Sequence, residues 1–298
     1  MQQRTRRVAL VEGVIAGVFF GTAAIFIRLL KSVDVFSIAF WRLIVAAVAL
    51  ALILLFLRRT FSHKLIQKNL KDLAVLGVFL GLHFIFFVSS VQDTTILNAT
   101  VLVNTAPIFS MFVSAFLFNT KPSRMAVLGL TISFVGICII AFVDTFSKAE
   151  LFAFSLHLKG DLEAVLAAVV EAFYLNLGRK TRSQMPVLST MLPIYLLSAL
   201  VVGVISVPLG ASLAIPLDIK LILFIIGLGV LPTAVSHTLY FSSLSNLKSF
   251  ETATMALLEP IGATLLGVWI FQEIPGALFV LGAVLILLGI IFVVKQQD

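Results

Sequence analysis

The chain has 298 residues, of which 60% are hydrophobic and only 12% are charged. Soluble domains are roughly half apolar and about one quarter charged, and their surfaces need polar cover. The composition therefore excludes an ordinary soluble enzyme, a disordered chain and a fibrous repeat. The net charge of +7 lies mostly in short loops, which is typical of membrane orientation signals. We therefore expect a lipid bilayer, and no nucleic acid, as the surroundings of this protein.

The apolar segments predict an all-α integral membrane protein. A helix needs ~20 apolar residues to cross the hydrocarbon core. Ten segments reach that length, near 8–31, 35–57, 70–91, 95–118, 123–144, 158–180, 187–209, 219–243, 249–271 and 275–294. If these segments alternate across the bilayer, most Lys and Arg residues fall on the side of the N-terminus. The positive-inside rule then predicts a multi-pass protein of the cell membrane with both termini in the cytoplasm.

The two halves of the chain resemble each other. One constant shift aligns Pro107 with Pro260 and Gly136 with Gly289. A shift one residue longer aligns His83 with the histidine of the second half, His237. Each half contains five predicted spans, and because five is odd the second half begins on the opposite face. The sequence thus predicts two inverted-topology repeats, 8–144 and 158–294, separated by a loop at 145–157.

The chain resembles the drug/metabolite transporter superfamily, in its ten-helix branch with two EamA domains. The resemblance rests on an ordered set of loose motifs that covers nearly the whole chain. These are Phe40-Trp41-Arg42-Leu43, Gly160-Asp161-Leu162, Tyr240, the stretch from Glu259-Pro260 to Gln272-Glu273, and the glycines Gly282 and Gly289. Two positions depart from the pattern: Thr120 stands where such repeats often carry Glu, and Glu171 stands where an aromatic residue is frequent. The second departure prevents transfer of any particular substrate.

The resemblance implies a secondary transporter, most often an exporter of amino acids or other small metabolites, and not an enzyme. It also implies a central cavity lined mainly by segments 1, 3, 4, 6, 8 and 9. An importer or a nucleotide-sugar carrier stays open as an alternative, and so does a membrane-embedded enzyme that acts on lipid. The expected partners are a small-molecule substrate and a coupling proton or cation, and a homodimer stays open.

Ionisable residues inside the spans are the candidates for the binding site, because charges within the bilayer are costly and usually functional. Glu259 precedes Pro260, which lacks a backbone donor and should free a carbonyl near Ala256. Pro107 is the equivalent residue of the first half and marks a second expected kink. One turn earlier, Asn104 offers a neutral polar group. The alternative for Glu259 is a structural pair with Arg42 or another residue.

Further candidates lie on neighbouring spans. Glu171 is predicted at mid-depth, and Arg42 could clamp a substrate carboxylate or neutralise a nearby acid. His83 and His237 could relay a proton, and inversion is expected to place them toward opposite faces. Tyr174 and Tyr240 could contact substrate or simply belong to the core. Neither histidine has a second ligand one turn away, so the sequence predicts no metal site, and it predicts no cofactor.

Overall fold

A computed structural model describes residues 5–58, 63–147, 157–271 and 276–295, and all regular structure in these ranges is helical. Most of the predicted inter-repeat loop at 145–157 lies outside the described residues, and so does Glu273.

The first half contains eight helices in the described ranges. They are α1 (Arg6–Phe20), α2 (Ala23–Leu29), α3 (Val35–Phe56), α4 (His63–Lys68), α5 (Leu70–Asp93), α6 (Ile96–Val103), α7 (Ala106–Leu117) and α8 (Arg124–Ser147). Side-chain caps fix several helix starts: the carboxylate of Asp34 accepts a hydrogen bond from the amide of Phe36 at the start of α3, 2.8 Å away. Such caps satisfy backbone donors that have no partner within the helix.

The second half contains seven α-helices in the described ranges. Its α-helices are α9 (Leu158–Gln184), α10 (Val187–Ser206), α11 (Ile219–Leu228), α12 (Thr238–Ser243), α13 (Ser249–Met255), α14 (Glu259–Phe271) and α15 (Ala277–Val294). A π-helical stretch, Gly229–His237, joins α11 to α12, and a 3₁₀ turn, Ala256–Leu258, joins α13 to α14.

Every one of the ten predicted segments is helical in the parts that the structure describes. Seven helical stretches are long and apolar enough to cross a membrane: Arg6–Leu29, Val35–Phe56, Leu70–Asp93, Asn98–Leu117, Val187–Ser206, Ile219–Ser243 and Ala277–Val294. Among the other three, α9 is less apolar because it carries charged and polar residues along its length. The protein is therefore an all-helical, multi-pass membrane protein.

The last helices of the two repeats, α8 and α15, pack together through glycines. A Cβ atom on Gly129 would lie 2.6 Å from the carbonyl oxygen of Gly289, and one on Gly136 would lie 2.6 Å from that of Gly282. The helices are therefore antiparallel and in close backbone contact, as small residues permit in membranes. The internal repeat aligns Gly129 with Gly282 and Gly136 with Gly289, so these two contacts are equivalents of each other.

The fourth segment of each repeat is broken at the same place. In the first repeat α6 ends at Val103 and α7 begins at Ala106, one residue before Pro107. In the second repeat the 3₁₀ turn Ala256–Leu258 interrupts the helix directly before Glu259-Pro260. Prolines cannot donate to the preceding turn and so favour such interruptions. Both breaks lie beside the polar cavity described next.

Candidate functional site

A small cavity with buried walls lies between the two repeats. Its volume is about 30 Å³, which is enough for very few water molecules. Its walls are formed by Phe20, Ala23, Arg42, His83, Phe87, Val103, Asn104, Glu171, His237, Ala256 and Glu259. None of these residues is more than 8% exposed. A cavity with so many polar walls in a largely apolar protein is a candidate binding site.

The lining agrees with the arrangement that the sequence resemblance implies. Segments 1, 3, 4, 6, 8 and 9 each contribute at least one residue. Segment 2 contributes as well, through Arg42. Two of the apolar lining residues, Val103 and Ala256, each lie four residues before a proline, at equivalent positions of the two repeats.

Glu259 is the first residue of α14 and is held by the broken helix of the other repeat. The side-chain amide of Asn104 donates a hydrogen bond to Glu259 Oε2 over 3.2 Å and another to the carbonyl of Thr100 over 2.7 Å. Asn104 follows the last residue of α6. The expected free carbonyl near Ala256 is not wholly free, because the amide of Glu259 donates to it within the 3₁₀ turn. The interruption is thus a tightened turn whose backbone is largely satisfied.

Glu171 lies on α9, opposite His83 of α5. Glu171 Oε2 is 3.8 Å from His83 Nδ1, which donates to the backbone carbonyl of Ala167 over 3.1 Å. A carbonyl only accepts, so this contact places a proton on Nδ1 and leaves Nε2 of the neutral ring as an acceptor. The hydroxyl of Tyr240 lies near the Glu171 carboxylate, without a hydrogen bond of ordinary geometry.

Arg42 is fully buried but pairs with neither acid. Its Nε donates to the hydroxyl of Thr233 over 3.0 Å, and its guanidinium carbon lies 4.0 Å from the centre of the Phe84 ring. Its Nη1 has no hydrogen-bond partner. Among the described residues, no carboxylate lies within 4.0 Å of the guanidinium. The structural ion pair between Arg42 and Glu259 that the sequence left open is therefore not formed in this conformation.

His83 and His237 are in contact, which corrects the expectation that they lie toward opposite faces. Their ring centres are 5.9 Å apart, edge to face. The expectation assumed that equivalent residues of inverted repeats must differ in depth. Residues near the middle of both helices instead meet at the centre. The rings of Phe20 and Phe84 pack against His237 with centres 4.8 Å away, and His237 Nδ1 has no partner.

The two tyrosine candidates have different surroundings. Tyr240 is completely buried, packs edge-on against Phe20 at 5.2 Å, and has an unpartnered hydroxyl. It lies beside the cavity without forming its wall. Tyr174 points into the core, where its hydroxyl contacts the sulfur of Met191 and its ring packs 5.6 Å from that of Phe241. The structure therefore does not bring Tyr174 to the site.

Comparisons with known proteins agree with this architecture. Residues 8–142 and 158–295 match the EamA-like transporter family, one match for each half of the chain. The chain belongs to this family. It is therefore a member of the drug/metabolite transporter superfamily, as the ordered motifs of the sequence indicate.

Similar proteins are transporters by name. The chain is 23% identical over 298 residues to the uncharacterized transporter YxxF of Bacillus subtilis, covering 100% of this chain and 93% of the relative. An uncharacterized transporter of Archaeoglobus fulgidus is 24% identical over 279 residues, covering 92% of each chain. A solved crystal structure of a protein has the same fold, with a TM-score of 0.80, 17% identity and coverage of 97% and 96%.

Polar contacts join different helices near both ends of the first predicted span of this EamA-family protein. At one end, Arg6 forms an ion pair with the buried Glu251 over 2.7 Å and donates to the carbonyl of Val294. At the other end, the hydroxyl of Thr94 donates to Asp161 over 2.8 Å, and Arg28 donates to the Thr94 carbonyl. Arg6 and Arg28 are separated by about 33 Å at 1.5 Å per helical residue. The contacts therefore lie near opposite ends of the first predicted span.

Two features of the site were not predicted from the sequence: the contact of Thr233 with Arg42, and the π-helical stretch that positions Thr233. Nothing in the sequence marks Thr233, because the apolar segment around it is predicted as one continuous helix. The π-helical stretch around Pro232 places it there, and its own hydroxyl donates to the carbonyl of Leu228 over 2.7 Å. The proline inside this apolar span was the sequence signal for the π-helical stretch, because helices are often distorted where a backbone N–H donor is missing.

Proposed function

We propose that this chain is a secondary transporter that exports amino acids or other small metabolites from the cytoplasm by alternating access. In this proposal ten helices cross the cell membrane as two inverted five-helix repeats, 8–144 and 158–294, with both termini in the cytoplasm. The supporting observation is the polar cavity with buried walls, which is lined by equivalent parts of both repeats. Transporters with inverted repeats bind substrate between the repeats, near the middle of the bilayer.

The buried walls of the cavity and the polar contacts at both ends of the first span support an occluded state. A cavity of about 30 Å³ is too small for an amino acid, so one end must open before substrate enters. Breaking the contacts of Arg6 would open the cytoplasmic end, and breaking those of Asp161 would open the other. The interrupted helices before Pro107 and Pro260 would serve as hinges, because interrupted helices can change direction with few lost hydrogen bonds.

Glu259 and Glu171 are the proposed centre of binding. Both carboxylates are buried, and neither has an arginine or lysine partner among the described residues. Each can therefore take up a proton, a cation or a positive group of the substrate. A proton or cation bound here would couple transport to an ion gradient, while His83 and His237 offer adjacent groups for proton transfer.

Metabolite profiling tests this proposal. Cells that express the wild type, Glu259→Ala or Asp72→Asn at equal membrane levels are compared by untargeted analysis of medium and cell contents. We expect at least one compound to accumulate in the medium with the wild type and with Asp72→Asn, and not with Glu259→Ala. Asp72 is the control because it is an acid at the exposed end of α5, paired with Lys180 far from the cavity.

Other results of the metabolite profiling would support the alternative functions. Depletion of a compound from the medium would contradict export and support an importer. A changed lipid profile with an unchanged medium would contradict transport of a soluble metabolite and support the lipid-modifying enzyme. Equal export by the wild type and Glu259→Ala would remove Glu259 from the proposed site.

A further inference from the structure

The cavity keeps opposite charges apart although they share its walls. Arg42 and the two acids Glu259 and Glu171 all line it, and all three residues are buried. Oppositely charged side chains in a region of low dielectric attract strongly and normally pair. Here each is held away from the others by neutral groups. This separation leaves charged groups of both signs available to a ligand.

Arg42 is oriented by contacts that leave part of its guanidinium unused. Thr233 accepts the hydrogen bond of Nε, and Phe84 covers one face of the guanidinium plane. Thr233 is itself fixed, because its hydroxyl donates to the carbonyl of Leu228 and its own carbonyl accepts from Tyr195. Nη1 remains as a buried donor without a partner. Buried donors without partners are rare and call for an explanation such as an absent ligand.

Other unpartnered polar atoms lie close to the same space. They are Nδ1 of His237 and the hydroxyl of Tyr240, and both residues are at least nine-tenths buried. The Phe20 ring packs against both of them. Arg42, His237 and Tyr240 can all donate a hydrogen bond to an oxygen anion. An arginine offers a carboxylate two donors in a fixed geometry.

The acids are anchored on different elements. Asn104 of the first repeat donates to Glu259, and Glu171 lies beside His83 on the opposite helix. These neighbours are neutral side chains, so neither carboxylate is compensated by a fixed positive charge among the described residues. A positive group of a ligand would supply that compensation.

We propose that Arg42 binds the carboxylate of a small zwitterionic substrate, while Glu259 and Glu171 take its positive group. This inference rests on the proposed transport function and assigns the specificity for substrate to these three residues. A substrate with only a positive charge would leave the guanidinium unpaired, and one with only a negative charge would leave the acids uncompensated. A neutral sugar would satisfy neither. The site therefore selects for both charges on one small molecule.

A binding experiment with matched probes tests the assignment. The purified wild type in lipid nanodiscs is heated with one of three mixtures: the common amino acids, their methyl esters, or their N-acetyl derivatives. The esters retain only the positive charge, and the N-acetyl compounds retain only the negative one. Because a ligand that binds the folded state raises the melting temperature, we expect the amino acid mixture to raise it and the two derivatives to have little effect. An equal rise with either derivative, or no rise with any mixture, would overturn the proposal.

Variants of two buried arginines locate the interaction. Arg42→Gln should raise the amino acid concentration needed for half of the melting-temperature shift by at least about tenfold, since a charge-assisted hydrogen bond is lost. Arg182→Gln is the matched control, because Arg182 is also buried and donates to the backbone carbonyl of Met185 outside the cavity. Equal responses of the two variants would overturn the role of Arg42. If Arg42→Gln does not fold, the three mixtures on the wild type still decide the proposal.

Different results would contradict this inference and the proposed transport function. If the wild type exports a compound that lacks a carboxylate, the transport proposal stands and the role of Arg42 is wrong. If no compound is exported or imported, the transport proposal itself fails.

Discussion

His83 and His237, which occupy equivalent positions in the two halves of the chain, pack edge to face with ring centres 5.9 Å apart. Equivalent residues of two repeats can touch each other only close to the axis that relates the repeats. The glycine contacts of α8 and α15 have the same symmetry, since the contact of Gly129 with Gly289 is the equivalent of the contact of Gly282 with Gly136. The polar cavity beside the histidines therefore lies near the centre of symmetry of the molecule, where a rocking motion of the repeats would expose it to either face in turn.

The hydrogen bond from the Asn104 amide to the Glu259 carboxylate gives the first prediction. Asn104→Leu removes the donor to Glu259 Oε2 and should abolish or strongly reduce transport, because the carboxylate loses its position. The lost hydrogen bonds should also lower the free energy of unfolding by about 1–3 kcal/mol. The measurements are export of the compound found by metabolite profiling and denaturant unfolding of the purified protein.

Asn176→Leu is the control for this prediction. Asn176 is a buried asparagine that donates to the backbone carbonyls of Ser110 and Ala172, outside the cavity. The Asn176→Leu variant should lose stability to a similar extent as Asn104→Leu and should retain transport. If both variants lose transport equally, the specific role of Asn104 is contradicted.

Close packing of α1 against α14 gives the second prediction. A Cβ atom on Gly21 would meet backbone atoms of Glu259 and Ala263, and one on Gly262 would meet the backbone of Val18. Gly21→Ala and Gly262→Ala should each push these helices apart and lower the free energy of unfolding by about 1–3 kcal/mol. Both should also impair transport, because Glu259 begins α14.

The stability of each alanine variant is measured by denaturant unfolding in detergent. Gly203→Ala serves as the control, since its Cβ atom would lie 3.8 Å from the Phe40 ring, an ordinary contact. That variant should be as stable as the wild type or slightly more stable. A Gly21→Ala protein as stable as Gly203→Ala would show that the helices are farther apart than described.

The ion pair between Arg6 and Glu251 gives the third prediction. Glu251 is buried, with 1% of its side chain exposed, whereas Arg6 is 39% exposed. A double-mutant cycle with Arg6→Gln and Glu251→Gln should therefore give a coupling free energy of about 1–3 kcal/mol. The same cycle for the exposed pair Lys180 and Asp72 should give less than about 1 kcal/mol. Equal coupling in the two cycles would argue against Arg6 and Glu251 as a closing contact.

Much of the fold follows from the sequence because the bilayer imposes length and polarity on every span. The apolar segments were enough to predict helices throughout the described ranges, where seven helical stretches are long and apolar enough to cross a membrane, and the aligned prolines were enough to place the interruptions before Pro107 and Pro260. At 27 residues α9 is long enough to cross a membrane, but it does not stand out as a span because polar residues such as Glu163, Glu171 and Asn176 make it less apolar. Of these three residues, Glu171 lines the cavity.

The charged residues that line the cavity could be predicted from the sequence, but the contacts between them could not. Charged residues inside spans are few, so Arg42, Glu171 and Glu259 could be singled out directly. Which of them pair depends on helix rotation and on small shifts such as the π-helical stretch at Gly229–His237. Helix rotation also decides that Tyr174 packs into the core. A sequence period of 3.6 residues does not fix these rotations when almost every face of a helix is apolar.

Alternating access is the central claim, and labelling of Ala256 tests it most directly. Ala256 lines the cavity, and Cys138 is the only native cysteine. In a Cys138→Ser background, Ala256→Cys is exposed to a membrane-impermeant maleimide in intact cells and in inside-out vesicles. Ala199→Cys, at a buried position of α10, a helix that contributes no residue to the cavity wall, is the control and should stay unlabelled. The account predicts labelling of Ala256→Cys from both faces, and labelling from one face only, or from neither, would contradict it.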